Sequence, residues 1–78
     1  MAQKVVNDDT IYNDVRRRLA GDPEVKGAAF EVDVKDGVVT VKGVVEKEKN
    51  KERAEHIIRR AKGVKSVVNQ IQVKPAGL

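Results

Sequence analysis

The sequence predicts an α+β domain with the order helix, strand, strand, helix, strand. Its architecture is an αββαβ two-layer sandwich, two helices packed on one face of a three-stranded mixed sheet. Three observations lead there. Apolar and charged residues alternate across Phe30 to Val45, around a central Asp36-Gly37. Two other segments, Ile11 to Leu19 and Ala54 to Ala61, carry apolar residues at helical spacing. A last alternating stretch runs from about Ser66 to Lys74.

Residues 1–7 read as a flexible lead-in. Asn7, Asp8 and Asp9 are candidate N-caps, and acids in a first turn suit the helix dipole. Ile11, Val15 and Leu19 then recur every four residues with Tyr12 beside them, one apolar stripe on a helix. Arg16, Arg17 and Arg18 fall in its last turn, where cations are favoured. Ala20-Gly21-Asp22-Pro23 supplies a glycine stop and a proline. Glu24 to Ala29 connects to the hairpin, with a short turn at Pro23 to Val25.

In the first strand Phe30, Val32 and Val34 alternate with Glu31, Asp33 and Lys35, a strand with one dry face. Asp36-Gly37 suits a two-residue turn with positive φ at both centres. Such a turn sets Lys35 opposite Val38, Val34 opposite Val39, Val32 opposite Val41 and Phe30 opposite Gly43. A slip of one residue would turn the apolar set into water. The returning strand, Val38 to Val45, has valines on both faces, which favours the centre of the sheet. The alternative puts the first strand there.

Beyond Val45 the period becomes helical. Glu46 to Lys51 opens a second helix, and Ala54, Ile57, Ile58 and Ala61 form its buried face. Glu55 and Arg59 make an i, i+4 pair. Gly63 stands where a left-handed residue ends a helix, with Val64 in apolar contact behind it. In the last strand Val67, Asn69, Ile71 and Val73 share the dry face, and Val68, Gln70 and Gln72 the other. Asn69 interrupts the dry face; satisfying loose backbone near a strand end is the simpler account, a ligand contact the other. Residues 8–74 thus form one domain, and 75–78 a tail.

At 78 residues the chain is near the size at which one core barely outweighs chain entropy. With no cysteine there is neither disulfide nor thiol chemistry. No stretch approaches the roughly 20 apolar residues of a membrane span. The opening MAQKVVNDD lacks the apolar core of a secretory signal, so the expectation is a cytosolic protein, a mature chain or an excised domain. The net charge of +4 is unevenly spread: residues 46–65 hold eight basic and four acidic groups, residues 1–45 seven and eight. The excess suggests an anionic partner on one side; a solvated helix rich in ion pairs is the bland reading.

Three blocks carry a family resemblance: the spaced Ile11, Val15 and Leu19; DGVVTVKGVV (Asp36 to Val45); and AKGVKSVVNQIQV (Ala61 to Val73). In these, and in the placing of Gly37, Gly43 and Gly63, the chain resembles the BON domain of osmotically induced and nodulation-related bacterial proteins. Val64, Val67, Asn69 and Val73 match that family's GV-x-x-V-x-N-x-x-x-V ending. The resemblance implies a non-catalytic, transport-associated binding module. It further implies the bacterial envelope, often the periplasm, and attachment to anionic phospholipid. The family also includes a cytosolic potassium-binding protein, so small-cation binding is an alternative. Paired domains are common in it, whereas this chain holds one copy.

Catalysis and metal binding have little to work with. His56 is the only histidine and Ser66 the only serine, and no cysteine is present for a usual zinc site. Asp8, Asp9 and Asp14 can gather near one helix end, with capping the simpler reading. No catalytic residue, metal ligand or cofactor is expected.

The second helix is the candidate site. Lys49, Arg53, His56 and Arg60 fall within a sector of about 60°, away from the apolar face. Glu48, Glu52 and Glu55 occupy another sector. This ridge is expected to bind anionic headgroups, with Lys47, Lys51, Lys62 and Lys65 extending its field. Nucleic acid is the rival ligand, but it is disfavoured. Tyr12 and Phe30 are the only aromatics, both expected to be at least partly buried, and no G-x-x-G loop occurs. A protein-docking or self-association reading rests on Val38, Val44 and Val68, expected on the open sheet face.

Overall fold

In the computed structural model residues 7–26 and 28–75 are described; the expected lead-in and tail, apart from Asn7 and Pro75, lie outside them. The elements are α1 (Asp8–Gly21), β1 (Glu31–Lys35), β2 (Val38–Val45), α2 (Glu48–Arg59) and β3 (Ser66–Val73). The sheet order is β1-β2-β3, with β2 central. β1 pairs with β2 antiparallel and β3 with β2 parallel, so the sheet is mixed as the sequence predicts. An α+β sandwich results because both helices have one apolar stripe and share one face of the sheet.

The hairpin register is the predicted one. Lys35 faces Val38, Val34 faces Val39 and Val32 faces Val41. Asp36 and Gly37 take φ of 53° and 83°, the doubly positive turn that matches strand twist. Phe30 lies just outside β1, but its ring covers Gly43: a Cβ there would stand 2.7 Å from Phe30 Cδ1. Two further contacts seat the turn. The Asp8 carboxylate accepts both turn amides, from Asp36 at 2.9 Å and Gly37 at 3.1 Å. Lys65 N–H donates to the Gly37 carbonyl at 2.8 Å. The start of α1 and the loop after α2 therefore both close on the hairpin end.

The core is Ile11, Val15 and Leu19 of α1, Val39, Val41 and Val45 of β2, Ala54, Ile57 and Ile58 of α2, with Ala61, Ile71 and Val25. Each of the larger side chains contributes roughly 1.5–3 kcal/mol by leaving water. Val25 is the one core residue that the sequence assigns only to a connector; it is 3% exposed.

Both helix ends differ in detail from expectation. Asn7 is the N-cap of α1 and accepts from Thr10 N–H at 2.9 Å, so it belongs to the domain rather than to a lead-in. Gly21 is the last residue of α1 and not a left-handed stop. Asp22 ends the helix instead: it is extended, and its Oδ1 accepts from Glu24 N–H at 2.9 Å. α2 stops at Arg59, four residues before Gly63. A tight turn follows, with Ala61 N–H on the Ile58 carbonyl at 3.0 Å, which keeps Ala61 in the core. Gly63 then reverses the chain with φ of 94°.

Asn69 does more than satisfy a strand end. Its Nδ2 donates to the Lys51 carbonyl at 3.3 Å and to Glu55 Oε1 at 3.1 Å, tying β3 to α2. Its Oδ1 accepts from Ile71 N–H at 3.0 Å. Lys74 N–H donates inward to the Val45 carbonyl, so by alternation the Ile71 amide points away from β2, along the free edge.

The open face of the sheet is mainly polar. Glu31 sits opposite Lys42, and Asp33 opposite Thr40. Val44 and Val68 are exposed and Val38 is half-buried, but the Lys42–Gln70 row separates Val44 from the other two. The three valines form no continuous apolar patch.

Candidate functional site

The helices run antiparallel. Asp22, just past the end of α1, bonds Arg53 in the first half of α2, whereas Lys62 beyond α2 lies beside Thr10 and Asp14 near the start of α1. On their outer side, away from the sheet, a cleft of about 410 Å³ opens between them. That volume falls within the roughly 300–1,000 Å³ typical of ligand clefts. Arg17, Arg18, Asp22, Arg53, His56 and Arg60 are among its lining residues. Cations thus reach it from both walls.

The two acids beside these cations are already engaged. Asp22 is 8% exposed, and its Oδ2 accepts from Arg53 Nε at 3.1 Å and Nη2 at 2.8 Å. The Arg53 hydrogen bond holds the Asp22 carboxyl below the usual carboxylate range, and the Arg53 pKa is raised in return. Asp14 accepts from Arg18 Nε at 2.8 Å and from Arg17 Nη2 at 3.0 Å, and these bonds, Arg18 first, lower its pKa. Arg60 and His56 take part in no ion pair among the described residues.

The predicted ridge is divided by the fold. Arg53, His56 and Arg60 line the cleft, and Lys62 lines the adjoining recess with Arg17. Lys49 is exposed one turn before Arg53. Lys51 is half-buried on the other side of α2, where its carbonyl takes the Asn69 amide and its charge acts on Glu55. Lys47 precedes α2 as its N-cap, and Lys65 packs beside Gly37 at the hairpin end. Glu55, paired with Arg59 at 2.9 Å, has its pKa lowered chiefly by that bond and then by the Asn69 amide.

Arg17 and Arg18 are the site residues that sequence reasoning missed. By sequence the arginine run is complete as a partner of the helix dipole, and only the antiparallel packing brings it against α2. Tyr12 is exposed rather than partly buried, with the Arg16 guanidinium 5.7 Å from its ring centre. Phe30 is half-buried over Gly43. Among the described residues no group of three or more His, Cys, Asp or Glu side chains is placed to hold a metal ion, and no helix is long and apolar enough to cross a membrane.

Comparison with known proteins gives two findings. The chain is similar to osmotically-inducible protein Y of Escherichia coli (strain K12), 33% identical over 67 residues. That match covers 86% of this chain and 33% of the relative, so the chain spans about a third of the relative's length. The family model for the BON domain matches residues 7–75, which takes in every helix and strand described above. With its three blocks set on this framework, the chain belongs to the BON domain family.

Proposed function

We propose that this domain is a non-catalytic module that attaches peripherally to anionic phospholipid surfaces through the outer side of its helical layer. One observation carries the reading: cationic side chains of α1 and α2 converge on one cleft whose acid, Asp22, is already neutralised. Each basic residue near an anionic surface contributes on the order of 1 kcal/mol. The outward residues of α2 include no Trp, Phe or Leu, so attachment is electrostatic and weakens with salt. The similarity to a bacterial protein named as osmotically inducible suits a role under osmotic stress. The mainly polar open face of the sheet gives the protein-docking alternative less support.

Co-sedimentation with phosphatidylglycerol vesicles, against phosphatidylcholine controls, tests this. Wild type is expected to sediment with the anionic vesicles alone. A variant combining Arg17→Glu, Lys49→Glu and Arg60→Glu is expected to stay in solution. Arg53 is left intact because it holds Asp22. Undiminished binding by that variant, with unchanged thermal unfolding, overturns the proposal.

A further inference from the structure

We infer that the cleft between α1 and α2 is a subsite for a single phosphate group, an inference that rests on the attachment reading and names the chemistry recognised. The argument starts from the arrangement of donors. Arg17 and Arg18 stand on one wall, Arg53, His56 and Arg60 on the other. Two of the four guanidiniums are held by a neighbouring acid: Asp14 takes Arg18 Nε at 2.8 Å, and Asp22 takes Arg53 through a fork of 3.1 and 2.8 Å. Arg17 also bonds Asp14 at 3.0 Å, but its side chain stays 77% exposed. An arginine already held by a neighbour loses less freedom when a ligand arrives.

Those bonds do not exhaust the donors. Arg53 uses Nε and Nη2, Arg18 uses Nε, and Arg17 uses one Nη2 contact, each out of five N–H groups per guanidinium. The rest remain for a ligand, together with those of Arg60, which has no ion-pair partner among the described residues. A planar carboxylate is satisfied by one guanidinium fork. A tetrahedral phosphate presents oxygens in several directions and accepts from both walls at once. The cleft therefore favours phosphate over acetate. The phosphate can belong to a lipid headgroup or to a soluble phosphate ester.

The test is an NMR titration of arginine side-chain and His56 resonances with inorganic phosphate, against acetate and chloride at equal ionic strength. Phosphate is expected to shift the Arg17, Arg18, Arg53 and Arg60 signals saturably, and acetate and chloride to leave them. Arg60→Gln or Arg17→Gln is expected to weaken phosphate about tenfold, the loss of one charge-assisted contact. Lys42→Gln, exposed on the open sheet face opposite Glu31, should change nothing. The same proteins are then sedimented with phosphatidylglycerol vesicles. If phosphate saturates and vesicle binding falls with Arg60→Gln, the source is a headgroup. If phosphate saturates but wild type ignores vesicles, the subsite stands with a soluble ester, and surface attachment fails. If vesicles bind while phosphate acts no differently from acetate, or Arg60→Gln and Arg17→Gln leave its effect intact, the subsite is overturned and attachment survives.

Discussion

The carboxylate of Asp8 accepts the backbone N–H of Gly37 at 3.1 Å across 29 positions of sequence, with its other oxygen on Asp36 N–H at 2.9 Å. One side chain at the start of α1 thereby fastens the hairpin turn. Asp8→Ala should destabilise the fold by about 1–2 kcal/mol, since two amides lose a charged acceptor. In a domain this small each kcal/mol lowers Tm by roughly 4–8 °C. Asp9→Ala, one residue on and exposed, should stay within about 0.5 kcal/mol in urea unfolding.

Gly43 should not tolerate a side chain. The added Cβ would meet Phe30 Cδ1 at 2.7 Å and the Ala29 carbonyl at 3.1 Å. Gly43→Ala is expected to cost about 1–3 kcal/mol, the usual range for overpacking. Part of that should return in the Gly43→Ala/Phe30→Leu double variant. A double-mutant cycle should show coupling of at least about 0.5 kcal/mol, and strict additivity would place the strain elsewhere.

Asn69→Asp separates donor from acceptor. The Ile71 N–H keeps its acceptor, but the Lys51 carbonyl loses its donor and a new carboxylate faces Glu55. Like charges at that distance repel only when both are ionised. The Tm deficit relative to wild type should therefore be larger at pH 7 than at pH 3. An equal deficit at both would mean that Glu55 is not the neighbour that matters.

The Asp22 pKa is depressed in the fold by Arg53, so its contribution is complete above the ordinary carboxylate value of about 4. It is lost as pH falls through the lowered folded value. Asp14 behaves likewise through Arg18 and Arg17. Asp22→Asn should lower Tm at neutral pH and flatten the fall in stability below about pH 4. Parallel acid profiles for variant and wild type would remove Asp22 from this role.

The strands and the buried helix faces were legible because they obey local periods. Asp36-Gly37 fixes the turn, and alternation then fixes Val32 on Val41 and Val34 on Val39. Ile57 and Ile58 declared their face by spacing alone. Half of the candidate site was not legible. Arg17 and Arg18 looked complete as dipole partners, and nothing within ten residues of Asp22 announces Arg53, 31 positions away. Gly63 matches a helix stop, yet α2 ends at Arg59 and a tight turn carries the chain on to Gly63 with Ala61 still buried. Contacts between distant elements decided the pairing of Asp22 with Arg53 and the approach of Arg17 and Arg18 to α2.

The sheet has a raw margin at β3, the kind of border onto which a stray ribbon from another molecule can zip. Asn69 curls over it and occupies the outward amide of Ile71, while α2 holds the same side chain from above. A newcomer seeking to lengthen the ladder meets a rung already taken near its middle. The residue that staples the two layers together thus also leaves that border one amide fewer to offer a passing strand.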